Sequence, residues 1–354
     1  MSVCNLQILQ KSPVQSSDSE ISAAIVAAGG AISFEKFMES ALYSPTGFYT
    51  STGRAGRRGD FITSPEVGPL FGAVVARAID TRWHELDRPK NFDVVEVGAG
   101  PGTLARSILS ADLECRDVLR YVAVEISDAQ REMHTVEMNS RSSMPTSPFI
   151  GVVIANELLD NLPFRLFVFD GTWKEAFVAE QNQSFVEVLR KVNDAPSWLP
   201  QIAPHGARVP VQSAAARWLG HAIEIVQNGS IVVFDYCSTT FDAITAPWRD
   251  WLRTYRLHEP GEHYLRNFGE QDITSHVMLD QLQLVRPADR VVSQSEWLTH
   301  NGINELVADG RNYWQANAAK PDIKAMKMRS RISEAEALCD PRGLGNFKVL
   351  EWYK

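Results

Sequence analysis

Residues 91–103 read NFDVVEVGAGPGT. Phe92, Val94, Val95 and Val97 make a short run rich in β-branched side chains, the pattern of a buried strand. The run breaks into Gly98-Ala99-Gly100-Pro101-Gly102, and an amphipathic stretch over 103–109 follows at once. Strand, glycine turn and helix open a βαβ unit, in which glycines let backbone approach a ligand beside the helix start. This stretch commits the chain to an α/β fold built on a parallel sheet.

The chemistry of the turn narrows the ligand. A dinucleotide fingerprint is G-x-G-x-x-G, with the third glycine seating the helix against the strand. Here the spacing is G-x-G-x-G, and Thr103 stands where that third glycine would fall. Glu96 sits inside the strand end, where a carboxylate suits a cationic or amine-bearing ligand and repels a pyrophosphate. A second strand over 121–126 (YVAVEI) ends at Glu125, with Ile126 after it. An acid at that place binds ribose hydroxyls in this architecture. The set points to S-adenosylmethionine rather than a nicotinamide.

The chain has 354 residues, 44% hydrophobic and 22% charged, the make-up of a soluble globular protein of one large domain or two. A net charge of −8 argues against a nucleic-acid binder working through a broad basic face. Cys4, Cys115, Cys237 and Cys339 are scattered without a CxxC pair, so neither a metal site nor a disulfide framework is expected. Residues 1–20 hold no arginine and end acidic, which fits neither a transit peptide nor a signal sequence. No stretch reaches the length of a membrane span. The expectation is a cytoplasmic protein acting without membrane or nucleic acid.

Along the chain, 21–28 and 32–43 carry helical spacing with Gly29-Gly30 between them, and Phe34, Phe37, Met38 and Leu42 form one apolar face. A long segment without periodicity, 44–68, precedes a helix over 69–86. After the second strand, 128–139 predicts a helix and 149–155 (FIGVVIA) a third buried strand. That strand runs into Asn156-Glu157-Leu158-Leu159-Asp160-Asn161, placing Asn156, Glu157 and Asp160 at a crevice edge; the same residues also suit a helix start. Short strands over 164–170, 173–180 and 185–192 suggest a meander turning at Asp170-Gly171. A helix over 214–227 leads to a buried strand ending in Asp235-Tyr236. Residues 238–266 read as an insertion or lid, 272–282, 296–301 and 303–307 as helices, and 346–353 as a closing edge strand. The run His258-Glu259-Pro260-Gly261-Glu262-His263 invites a metal reading, but Pro-Gly in its middle breaks any helix that could align ligands.

The segments FEKFMESALYSPTGFYT, GDFITSPEVGPLFG, VVEVGAGPGTLARSIL, VAVEIS, IANELLDNLP, FDY and GEQDITSHVMLDQL, in that order, resemble the MidA-like S-adenosylmethionine-dependent methyltransferases. The resemblance covers residues 32–307. It implies a Rossmann-like class I methyltransferase sheet with an N-terminal helical and loop cap and a C-terminal insertion. Mitochondrial members of that family are protein arginine methyltransferases that assist assembly of respiratory complex I. By position, Glu96, Gly98, Ala99, Gly100, Gly102 and Thr103 resemble the cofactor loop, and Glu125 with Ile126 the ribose end. Gly59, Asp60, Phe61, Ser64, Pro65 and Glu66 resemble the segment that closes over the cofactor. Asn156, Glu157 and Asp160 resemble the motif beside the transferable methyl. Two places depart from the family pattern: GAGPG stands for Gly-Pro-Gly-Arg-Gly, and Cys237 follows Asp235-Tyr236 where the family has glycine.

The resulting expectation divides the chain into a tail (1–20), a cap with the cofactor-closing loop (21–90), a core (91–236), and a lid with closing strands of the same catalytic domain (237–354). The function expected is methyl transfer from S-adenosylmethionine to a protein arginine, with Glu157, Asp160 and Asn156 as catalytic residues and no metal. The alternatives are a small-molecule acceptor, its pocket lined by Trp248 and Trp251, and a non-catalytic cofactor-binding assembly factor. Oligomeric state stays open, a homodimer included.

Overall fold

The computed structural model describes residues 17–51, 63–256 and 259–354. Its main sheet has seven strands, numbered in chain order: β1 (Phe92–Val97), β2 (Leu119–Val124), β3 (Asn139–Arg141), β4 (Phe149–Asn156), β5 (Val226–Asp235), β6 (Arg290–Ser293) and β7 (Lys348–Tyr353). They lie in the order β3-β2-β1-β4-β5-β7-β6. The first five run parallel, and β7 is antiparallel to both β5 and β6. The succession of strands moves outward in one direction from β1 to β3 and in the other from β4 onward. The crevice between β1 and β4 is therefore the switch point at which open α/β sheets bind ligands.

Both faces of this sheet are covered, which is why its strands read as apolar runs rather than as clean alternation. In β1, Phe92 and Val94 point into one layer and Val95 and Val97 into the other. In β5, Val232 and Phe234 share the first layer, Ile231 and Val233 the second. Helices Pro69–Glu85, Thr103–Leu109, Gln294–His300 and Ile303–Asn317 cover the first face with Phe71, Val74, Ile108, Trp297 and Ile303. Helix Ser213–Ile225 covers the second through Ala215, Leu219 and Ala222.

Between β4 and β5 the chain builds an antiparallel meander, Arg165–Phe169, Trp173–Gln181 and Ser184–Arg190, with Arg208–Val211 beside the first strand. Ile32–Ser33 adds to its edge against Val178 and Phe177. The next residues form helix Phe34–Tyr43, capped by the Ser33 hydroxyl, which accepts from the Lys36 N–H at 3.2 Å. Its apolar face packs on Phe164, Tyr264 and Phe268, so the cap, the meander and the 238–266 region share one core. Trp251 and Tyr264 are buried in that core.

Several sequence expectations change here. The helix expected over 128–139 stops at Arg131. His134 is instead held between the Gly100 carbonyl and the Ser140 hydroxyl, both at 2.8 Å, and the chain goes on into β3. The helix expected over 272–282 begins only at Leu279. Before it, Asp272–Ser275 pairs with Leu252–Arg256, because β-branched Ile273 and Thr274 fit a ladder and Asp272 is captured by tertiary donors. The expected edge strand lies inside the sheet, since β6 pairs beyond it. Cys237 is extended and bridges Val277, so the backbone after Asp235 makes no demand for glycine.

Phe71 is fully buried with its ring edge-on to Phe234 at 5.3 Å, and Phe234 meets Trp297 at 4.9 Å. Phe71→Ala is expected to cost about 3–5 kcal/mol in denaturant unfolding. Val26→Ala, at a side chain 77% exposed, should stay within about 0.5 kcal/mol in the same measurement.

Candidate active site

The carboxyl ends of the parallel strands open into a cavity of about 770 Å³. Its floor is the turn after β1. Gly98, Gly100 and Gly102 all have positive φ, at 74°, 54° and 78°, a backbone path that side-chain-bearing residues rarely follow. The Gly98 and Ala99 N–H groups donate to the Val124 carbonyl at 2.9 and 3.0 Å, tying the turn to the end of β2. Gly102 lies under the turn as the helix cap, while Thr103 reaches the cavity. Glu125, following β2, accepts from the Gly100 N–H at 2.9 Å and from the Ser127 N–H at 2.8 Å. Both of its oxygens are thereby aimed, and Ile126 beside it is 55% exposed at the cavity wall.

Glu96 points into the cavity from β1 and accepts from the Tyr121 hydroxyl at 2.7 Å. Burial pushes its carboxyl up to about 7, against the lowering effect of that hydrogen bond. Glu157, just after β4, has φ +49°, an unusual conformation for a side-chain-bearing residue. Its N–H donates to the Phe234 carbonyl at 2.9 Å. Its Oε1 accepts from the Asn156 side-chain amide at 3.1 Å and from the Ser64 N–H at 3.3 Å. Burial, then the nearby Asp160, raise its carboxyl to about 8.

Asn156, Glu157, Pro65 and Glu66 line the cavity together, as do Thr63 and the partly aromatic wall of Tyr43 and Tyr49. Ser64 contributes its backbone N–H rather than its side chain, which turns away to Gln294 at 3.0 Å. Asp160 does not reach the lining. It is buried behind Glu157, accepting from the Thr274 hydroxyl at 2.6 Å, and burial lifts it to about 6. Asp235, at the end of β5, accepts from the Leu159, Asp160 and Tyr236 N–H groups, and burial with the Asp160 charge holds it well above the carboxylate range. Trp248 and Trp251 lie in the cap core and take no part in the lining. Gly59, Asp60 and Phe61 lie outside the described residues.

The sequence reading missed Tyr43, Tyr49, Gln130 and Asp272. The two tyrosine rings stack at 5.6 Å. Tyr49 donates to Asp272 at 3.0 Å, Tyr43 to the Asn161 carbonyl at 3.1 Å, and burial raises Asp272 to about 7. Their one sequence signal is the Tyr-Ser-Pro-Thr-Gly-Phe-Tyr spacing, which puts two amphipathic rings either side of a turn.

The donors a ligand must bring can be read from this wall. Gln130 Oε1 and Asn156 Oδ1 are buried at the cavity and accept from no group among the described residues. Glu35, Glu39, Glu66, Glu96, Glu125 and Glu157 add six carboxyl groups to the lining, beside the two cations Lys36 and Arg217. An adenosyl group offering an amine and ribose hydroxyls, joined to an ammonium and a sulfonium, meets these acceptors in kind.

A sheet in this order, with an acid-lined and glycine-turned crevice at its switch point, defines a Rossmann-like class I methyltransferase. The chain belongs to the family described as "Putative S-adenosyl-L-methionine-dependent methyltransferase", whose model matches residues 74–294. It is similar to "Protein arginine methyltransferase NDUFAF7 homolog, mitochondrial" of Drosophila melanogaster, 27% identical over 300 residues, 70% of this chain and 65% of that protein. It is also similar to "Protein arginine methyltransferase NDUFAF7, mitochondrial" of Mus musculus, 32% identical over 115 residues, 32% of this chain and 25% of that one. The chain thus spans less than two thirds of the length of either relative. A Burkholderia thailandensis protein solved with S-adenosylhomocysteine bound superposes with a TM-score of 0.80 at 25% identity, over 96% of this chain and 92% of that one. S-adenosylmethionine is the cofactor. The cytoplasmic expectation is overturned by the relatives, which are named as mitochondrial; it rested on residues 1–20, the scattered cysteines and the lack of a membrane-length apolar stretch.

Calorimetric titration of S-adenosylmethionine should show binding that NADH does not reproduce. Glu125→Ala should weaken it by about tenfold or more, the scale of losing hydrogen bonds to a charged group. A second expectation follows from Asp160, Glu96, Asp272 and Glu157, raised to about 6, 7, 7 and 8. The folded state binds more protons than the unfolded one between the ordinary carboxylate range and about pH 8, so its stability falls as pH rises through that window. Thermal melts of the cofactor-free protein should decline accordingly, and added S-adenosylmethionine should restore more at pH 8 than at pH 6.

Proposed function

We propose that this chain transfers a methyl group from S-adenosylmethionine to the side chain of an arginine in a protein. The observation that carries the reading is Glu157, a carboxylate fixed at the cavity by Asn156 and the Ser64 N–H, where the cofactor turn and the 63–66 segment meet. The names of the relatives support it. The cofactor, when bound, supplies an electrophilic methyl on a positively charged sulfur. The glycine turn and Glu125 would hold its adenosyl end, and Glu96 its amine.

A guanidinium keeps its proton throughout the working range and is a poor nucleophile until its charge is drawn to one side. An ionised Glu157 would do this by accepting from two guanidinium N–H groups, leaving the third nitrogen to take the methyl as the carbon–sulfur bond breaks to give a neutral thioether and the nitrogen's proton passes to water. Asn156 orients Glu157, and Asp160 acts on it from behind by opposing its ionisation until a cation enters.

Incubation with radiolabelled cofactor and arginine-rich protein, followed by acid hydrolysis, should yield labelled methylarginine. Label confined to small molecules would replace the reading with a small-molecule acceptor. Glu157→Gln should keep cofactor affinity and lose turnover by about a hundredfold or more. Because the clamp must be ionised, wild-type kcat/KM should rise with pH towards about 8, the value to which Glu157 is raised, and level off above it.

A further inference from the structure

Helix Pro69–Glu85 begins without a side-chain cap of its own, since Pro69 is its first residue and Gly68 precedes it. The Leu70 N–H is then one of the donors a helix start leaves unpaired. Its partner comes from 264 residues further along the chain. Glu334, in helix Ile323–Leu338, is buried and accepts from Leu70 at 2.9 Å through Oε2 and from the Ser330 hydroxyl at 2.6 Å through Oε1. Gly68 lies flat against this carboxyl group, and a methyl there would overlap its carbon. One turn of chain earlier the contact repeats. The Ser64 hydroxyl donates to Gln294 at 3.0 Å, and Gln294 donates to the Leu338 carbonyl at 3.1 Å. The 64–70 segment, whose Ser64 N–H reaches Glu157 and whose Glu66 lines the cavity, is thus clasped at both ends by the C-terminal helices.

We infer that Glu334 is a positioning residue for the cofactor site: it latches the 64–70 segment so that the Ser64 N–H stays on Glu157. The acid suits the place, because a negative charge at a helix start is stabilised by the backbone dipoles. A buried carboxylate with two donors also resists displacement, since freeing Leu70 would leave unpaired groups on both sides. The inference needs the cofactor site alone and holds whatever the methyl acceptor is.

The Ser64 N–H favours the ionised form of Glu157, while Asp160 and Glu66 oppose it. Loosening the latch should therefore move the titration of Glu157 upward without touching Glu157 itself. The test uses the full chain. In the cofactor-free protein, Glu334→Ala should speed amide exchange at Leu70 by about tenfold or more, the cost of one charge-assisted hydrogen bond. The titration midpoint of Glu157 itself, followed by carboxyl carbon NMR in the same cofactor-free protein, should rise by about half a unit. Glu334→Gln, which keeps one acceptor for Leu70, should recover most of both effects. Gly68→Ala, whose φ of 164° is extended and unstrained, should reproduce them by pushing the carboxyl group away, which covers the case in which Glu334→Ala fails to fold. Unchanged Leu70 exchange in Gly68→Ala would overturn the latch. So would a lowered melting temperature with an unmoved Glu157 midpoint, since that is what a merely structural residue gives.

Discussion

Four neighbouring strands end in acids: Glu125 after β2, Glu96 in β1, Glu157 after β4 and Asp235 in β5. Keeping that much carboxylate together inside a fold is the constraint on which the rest of the site depends. Among the described residues none of the four forms an ion pair. Each is held by neutral donors instead, from backbone N–H groups of the glycine turn to the Tyr121 hydroxyl and the Asn156 amide. Neutral donors satisfy the oxygens, while burial holds Glu96, Glu157 and Asp235 towards their protonated forms until a cation arrives. A site made this way keeps an unmet demand for a cation, and a sulfonium carrying an ammonium group is such a ligand.

The sheet distributes this charge by its topology. Strands diverge at the β1–β4 crevice, and the cavity there is lined by the ends of β1, β2 and β4, with Asp235 of β5 buried behind them. The cap and the C-terminal helices come at the site from opposite sides of the chain. The tyrosine pair belongs to the first, and the Glu334 clasp on residues 64–70 to the second.

Much of the central sheet was legible because its signals are local. β1 announces itself by β-branched residues ended by glycines, and Asn156-Glu157 by its place after an apolar run. The parts that were not legible depend on partners distant in sequence. Asp272 starts a strand instead of a helix because Tyr49 and Asn161 hold its carboxylate. The 128–139 stretch leaves its helix because His134 finds Gly100 and Ser140. Asp160 follows Glu157 closely in sequence, yet a 3₁₀ turn at Leu159–Asn161 aims it at Thr274 and away from the cavity. Periodicity carries no information about such contacts.

The position of β7 has a consequence for how the molecule is made. β5 is covered on one edge by β4, but its other edge waits for β7, whose first residue pairs with Asp235 from roughly 110 positions later. At ordinary rates of synthesis the interval between the two is on the order of ten seconds. Throughout it, a strand carrying Ile231, Val233 and Phe234 presents open backbone donors and acceptors beside apolar side chains, the arrangement most prone to pair with a stranger. A chain arranged in this order places a premium on a holding chaperone during its birth, independent of any catalysis it performs afterwards.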